Sequence, residues 1–188
     1  SNAMLLLTGN YSVGDFFFNK YLGALELSIL SLQKIDAVGI QSHEFDLGPE
    51  IFQQIAYNAN QQYGINFVSS NIVIPSDGFY DHLRNLIKNK YIKDYNGVKI
   101  GIIQLGLANN LITKPDPISF NEDFTSILNN LTTELKNENV QIIVLMSGLD
   151  EETNSSIAKN IPSINVIIAS NHYYPYSEPI VVKNNSGK

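Results

Sequence analysis

The feature that most constrains the fold is an alternation of short, uninterrupted apolar runs with segments of helical periodicity. Residues 5–8, Ala37-Val38-Gly39-Ile40, Phe67-Val68-Ser69-Ser70, residues 141–146 and Val166-Ile167-Ile168-Ala169 each read as a strand, mostly continuous in hydrophobicity rather than alternating. Between them, Leu22, Leu25, Ile29 and Leu32 recur at helical spacing and predict an amphipathic helix over 21–34. Pro49 stands where a second helix can begin, with Ile51, Phe52, Ile55 and Ala56 on its apolar side. Residues 121–137 and 151–160 give two more helices, the first carrying Phe124, Ile127, Leu128, Leu131 and Leu135 on one side. Asn96-Gly97 is the strongest hairpin signal, joining strands over 91–95 and 98–105, and it brings antiparallel pairing into the sheets. A last short strand is expected at 180–182, and Asn185-Ser186-Gly187 starts a turn. Strands alternating with amphipathic helices indicate an α/β protein with covered, mixed sheets. Ser1-Asn2-Ala3 ahead of Met4 reads as a scar of tag removal, and residues 4–188 read as one domain without internal repeats.

Composition narrows the function classes. The chain has 188 residues, 44% of them apolar, which suffices for one packed core. Eighteen acidic residues against 12 basic ones give a net charge of −6. That balance speaks against nucleic-acid binding, which needs a basic face, and against docking to an anionic membrane. No stretch approaches the roughly 20 apolar residues of a bilayer span. The absence of cysteine removes disulfides, thiol chemistry and cysteine-based zinc sites.

In covered α/β sheets, functional groups collect beyond the carboxyl ends of strands. Four such junctions stand out: Gly9-Asn10, Gln41-Ser42-His43-Glu44-Phe45-Asp46, Ser147-Gly148-Leu149-Asp150 and Ser170-Asn171-His172-Tyr173. The segment His43-Glu44-Phe45-Asp46-Leu47-Gly48 resembles the Gly-Asn-His-Glu-Phe-Asp motif of the 5'-nucleotidase family of calcineurin-like metallophosphoesterases. Gly9-Asn10 is similar to that family's Gly-Asp motif, and Ser70-Asn71-Ile72 to its Ala-Asn-Ile segment. Asn96-Gly97-Val98-Lys99-Ile100-Gly101 resembles its hairpin, and the 142–149 run the strand leading into its Ser-His-Leu-Gly motif. Residues 166–173 resemble its Gly-His-x-His strand and loop. The resemblance runs in order along almost the whole chain.

The resemblance implies an α/β/β/α sandwich with mixed sheets, lacking the family's first strand region, and a metal site at the strand ends. It implies a reaction in which two divalent ions promote hydrolysis of phosphate esters, mostly of nucleotides. It also implies that the family's opening Asp-x-His motif and its C-terminal nucleoside-binding domain lie outside this chain. Carried over residue by residue, it places Asn10 where the family has the bridging Asp, and Ser42 where it has the Asn of Asn-His-Glu. Gly148 stands at the His of Ser-His-Leu-Gly, and Asn171 and Tyr173 at the two His of Gly-His-x-His. His43 and Asp46 match the family's catalytic pair, and His172 lies one position out of register with a lost ligand. Two divalent ions need anionic or imidazole ligands, which Asn10, Ser42 and Gly148 do not supply. The expectation is therefore a phosphoesterase scaffold without a stable dimetal centre, without a bound cofactor and without hydrolase activity.

Two alternatives stay open at this level. One is an active phosphoesterase with a rebuilt single-metal site around His43, Asp46 and His172. The other is a non-catalytic interaction module that self-associates through an exposed sheet edge. The ligand class implied is a small phosphate ester or nucleotide. His43 with Asp46 also fits a hydrogen bond that orders the loop, and Glu44 a local cap or ion pair. Asp15, Glu44, Asp46, Asp150 and Glu151 fit either an acidic cleft or a solvated rim, the latter being the commoner outcome. Tyr173-Tyr174-Pro175-Tyr176 fits either a base-stacking platform or a packed loop. The compartment follows the start site: cytoplasmic if Met4 begins the native chain, periplasmic or extracellular by the family resemblance.

Overall fold

The computed structural model describes residues 3–11, 14, 16–107, 117–170 and 177–187. In chain order its elements are β1 (Leu6–Leu7), α1 (Phe16–Tyr21), α2 (Ala24–Leu32), β2 (Ala37–Gly39), a 3-10 turn (Ser42–Phe45), α3 (Pro49–Tyr63), β3 (Phe67–Val68), β4 (Ile72–Val73), α4 (Asp81–Leu86), β5 (Ile87–Lys88), β6 (Tyr91–Tyr95), β7 (Val98–Leu105), β8 (Ser119–Phe120), α5 (Phe124–Asn137), β9 (Ile142–Ser147), α6 (Glu151–Asn160) and β10 (Val166–Ala169). One sheet has the order β1-β2-β3-β5 and is wholly parallel. The other has the order β10-β9-β7-β6, parallel except for the β6–β7 hairpin. The Asn96-Gly97 hairpin forms with both residues at positive φ, 53° and 90°, as its sequence predicts.

The two sheets lie face to face, and the period-2 alternation of side chains sorts residues into layers. Ala37, Val68, Ile102 and Met146 point between the sheets and form one buried cluster. Their neighbours Val38 and Phe67 point the other way, into a core shared with α2, α3 and α4. Ile103, Leu105, Ile143 and Leu145 point outward from the second sheet, onto Leu128, Leu131 and Leu135 of α5 and Ile157 of α6. The result is an α/β/β/α sandwich.

Local sequence explains where most helices start and stop. Pro49 occupies the first turn of α3, behind Gly48 at φ 94°, and Gly64 at φ 69° closes it. Phe52 of α3 packs edge-on against both Phe45 and Phe67, with ring centroids 5.0 and 6.1 Å apart. Helix α5 begins at Phe124 rather than at residue 121. Asp123 caps it by accepting the Ser126 N–H, and Asn121 is already committed to Asn71.

Two expectations are corrected. The helix expected over 21–34 forms as α2 but begins only at Ala24, because Leu22 and Gly23 both take positive φ, 56° and 95°, and separate it from α1, which ends at Tyr21. The stripe that suggested it is also not the buried face. Leu27 is fully buried, whereas Leu22, Ile29 and Leu32 are exposed, Leu32 to 83%. The strand at 180–182 does not form; the segment is irregular, with Ile180 and Val181 exposed. No described helix is long and apolar enough to cross a membrane.

The sheets are also joined by polar contacts just past β3. Ser70 N–H donates to the Gln104 carbonyl at 2.8 Å, and Gln104 N–H to Ser70 Oγ at 3.0 Å. Asn71, only 2% exposed, donates from Nδ2 to the carbonyls of Gly106 and Asn121 and accepts the Gly106 N–H at Oδ1. Removing this side chain leaves buried backbone groups unpaired, at about 1–3 kcal/mol each. Asn71→Ala is expected to lower the unfolding free energy by roughly 2–5 kcal/mol in urea titration. Asn71→Asp, which cannot donate to the two carbonyls, is expected to be no better.

Candidate functional site

The parallel strands of both sheets bring four carboxyl ends to one edge of the sandwich. Thr8, Gly9 and Asn10 follow β1, and Gln41 follows β2. From the second sheet, Gly148 follows β9 and Ser170 follows β10. Gly9 and Asn10 both adopt positive φ, 106° and 57°, which turns the chain sharply and holds the Asn10 side chain at the strand end.

Gln41 sits at the centre of this cluster and is 5% exposed. Its Nε2 donates to the Thr8 carbonyl at 2.8 Å and to Ser170 Oγ at 2.9 Å. Its Oε1 accepts from Asn10 Nδ2 at 3.3 Å. Ser170 Oγ in turn donates to the Ser147 carbonyl at 3.2 Å. Asn10 Oδ1 is buried and has no hydrogen-bond partner among the described residues.

The 3-10 turn after Gln41 carries the residues of the recognised motif. Glu44 is buried, and its carboxylate accepts the Gln41 N–H at 2.8 Å and the Tyr11 N–H at 2.9 Å. It therefore caps the turn locally, as expected, and also reaches across to the loop after β1. Ser42 is 4% exposed and Phe45 is buried against Phe52. His43 Nδ1 lies 2.7 Å from Asp46 Oδ2 in a partly exposed pair. The geometry suits a carboxylate that fixes the imidazole's orientation, whether for order or for chemistry.

The loop after β9 has its own polar frame. Ser147 Oγ donates to Asn154 Oδ1 at 2.6 Å, and Asn154 Nδ2 to the Leu149 carbonyl at 3.0 Å, all within the interior. Asp150 caps α6, accepting the Thr153 N–H at 2.8 Å and its hydroxyl at 2.9 Å. Those hydrogen bonds, the backbone one first, hold the Asp150 carboxyl below its ordinary range.

Of the residues singled out by sequence, Asn10 and Gly148 meet at Gln41, Ser42 lies buried beside them in the chain, and His43 pairs with Asp46. Asn171, His172 and Tyr173 lie outside the described residues, as do Asp15 and the 173–176 aromatic run. Glu44, Asp46 and Asp150 have separate local partners. Among the described residues, no three of His, Asp and Glu come together in a way that could hold a metal ion. Sequence reasoning passed over Gln41, Ser170 and Asn154 as site residues. The available signal was Gln41, a large side chain where the family motif opens on glycine.

No family model matches the chain. It is 26% identical over 176 residues to a probable 5'-nucleotidase of Treponema pallidum, covering 92% of this chain and 28% of that protein. It is 24% identical over 178 residues to an NAD 5'-nucleotidase of Haemophilus influenzae, covering 93% of this chain and 28% of that protein. The solved structure of a 5'-nucleotidase precursor from Thermus thermophilus superposes with a TM-score of 0.82 at 23% identity, over all of this chain and 38% of that one. The chain is similar to 5'-nucleotidases along nearly its whole length and shares the fold of the Thermus thermophilus 5'-nucleotidase precursor. It spans about 28% of the length of the two curated relatives. Within this shared fold, the cluster of Asn10, Gln41, Gly148 and Ser170 lies at the carboxyl ends of the strands.

The Asp150 cap gives a pH prediction at that edge. A carboxyl with a lowered folded pKa stabilises the fold fully above its ordinary value of 3.8, and the contribution is lost as pH falls through the lowered value. The stability gap between the wild type and Asp150→Ala is expected to be about 1 kcal/mol near neutrality. Denaturant titrations across the acid range should show that gap closing only below the ordinary carboxylate range.

Proposed function

We propose that this chain is a 5'-nucleotidase-like metallophosphoesterase domain that keeps the scaffold of a nucleotide phosphoesterase without its dimetal hydrolytic centre. The observation that carries this reading is the use made of the matched positions. Where the family has a bridging carboxylate, the neutral amide of Asn10 donates to Gln41. Where it has a histidine, Gly148 brings no side chain and packs against the Gln41 amide. The donors that remain described are one neutral buried oxygen, Asn10 Oδ1, and a His43–Asp46 pair engaged with itself. Such a set does not fit two adjacent divalent ions, whose mutual repulsion needs anionic bridging. Without them the chief stabilisation of charge in phosphoryl transfer is missing.

In this reading His43 and Asp46 order the turn, and Glu44 holds that turn to the loop after β1. The ligand class that still suits the scaffold is a phosphate ester or nucleotide, bound rather than turned over. Purified chain assayed on adenosine monophosphate and on p-nitrophenyl phosphate, with Mn²⁺ or Zn²⁺ added, is expected to show no release of phosphate above the metal-only background. Metal-dependent turnover that disappears in His43→Ala would favour the rebuilt single-metal site instead.

A further inference from the structure

We infer that the Gln41 carboxamide serves as an internal tie in the space where the family keeps its metals, and that Gln41 and Gly148 form one sterically coupled pair. The inference rests on the reading just proposed and adds what fills the site. The three groups that the Gln41 side chain bonds come from two strand ends, one in each sheet. Thr8 and Asn10 follow β1 in the first sheet, and Ser170 follows β10 in the second. Both Nε2 hydrogens are used, and Oε1 accepts a third bond, so the amide is satisfied entirely by protein groups. A neutral carboxamide thereby fastens the two sheets together at the edge where cations would otherwise collect the strand ends.

The glycines around it show that this space is committed. A Cβ placed on Gly148 would stand 2.2 Å from Gln41 Oε1 and 2.6 Å from Cδ, far inside contact distance. The backbone of Gly148 does not itself call for glycine, since its φ lies outside the left-handed region. The three nearest atoms that such a Cβ would meet all belong to the Gln41 amide, which would have to move and give up its hydrogen bonds to admit a side chain. Gly9 is different: its Cβ would meet Gln41 Cγ at 2.9 Å, and its φ of 106° would demand glycine in any case. The resemblance supplies the reciprocal arrangement, glycine at the position of Gln41 and histidine at the position of Gly148. Each arrangement puts one side chain into a space that holds only one. Substituting a single partner is therefore disfavoured in either direction, and exchanging both is tolerated.

A double-mutant cycle read by thermal unfolding tests this. Gly148→Ala is expected to lower Tm by roughly 3–10 °C through overpacking. Gln41→Gly should also lower it, through lost hydrogen bonds. In the Gln41→Gly background, Gly148→Ala should cost less than half of its single-variant effect. If Gly148→Ala alone yields no folded protein, recovery of a cooperative transition in the double variant is the supporting result. Additive losses, or no recovery, overturn the coupling. Wild-type Tm is measured in parallel with EDTA and with Mn²⁺ or Zn²⁺, and is expected to stay constant. A metal-dependent rise in Tm would overturn the underlying reading of the site, while additive losses with a constant Tm overturn only the role assigned to Gln41.

Discussion

The structure depends on the close approach of its two sheets. Ala37, Val68, Ile102 and Met146 fill the layer between them, and all four are buried. The polar contact between the sheets at the functional edge follows from that approach, because a Gln41 amide rooted in the first sheet can span to Ser170 in the second only across a thin layer. Burial of the outward faces under α2, α3 and α4 on one side and α5 and α6 on the other supplies most of the driving force. The inner layer decides geometry more than energy.

Polar side chains then act as fasteners where the apolar layer ends. Asn71 binds backbone groups of Gly106 and Asn121, and Ser70 exchanges hydrogen bonds with the Gln104 backbone. Gln104 itself points inward, fully buried, with its Cγ 2.8 Å from where a Cβ on Gly39 would lie. Two glutamines thus occupy room that glycines leave open, Gln104 over Gly39 and Gln41 over Gly148 and Gly9. The two cases differ in kind. At Gly39 the Thr8 carbonyl would also stand 2.8 Å from a Cβ, so backbone crowding requires glycine regardless of Gln104. At Gly148 the three nearest atoms all belong to one side chain, that of Gln41, rather than to backbone.

Much of this was legible in the sequence, for identifiable reasons. The Asn96-Gly97 hairpin, α6 and β10 are found at the residues their patterns predict, because turn chemistry and uninterrupted apolar runs are local signals. Local patterns misled where tertiary context took over. Leu22, Ile29 and Leu32 look like a buried stripe, but α2 packs through Leu27 and leaves those three exposed. Residues 180–182 have strand composition but no paired partner strand, and composition does not provide one. The short elements β4, α4, β5 and β8 went unseen because two to six residues cannot display a period.

The site shows the same division between what residue identity reveals and what packing reveals. The resemblance marks Asn10, Ser42 and Gly148 one position at a time. Their interdependence is not visible that way, since Gln41 and Gly148 are more than 100 residues apart in the chain and meet only when the sheets close. Read singly, Gly148 is a deletion of a side chain and Gln41 an intrusion. Taken together they conserve occupied volume, exchanging an imidazole from the second sheet for a carboxamide from the first. Without cations at the strand ends, an aspartate at position 10 would be a buried anion lacking a counter-ion, and the neutral Asn10 amide avoids that cost while donating to Gln41. The substitutions at positions 10, 41 and 148 are therefore mutually consistent as a single neutral packing solution.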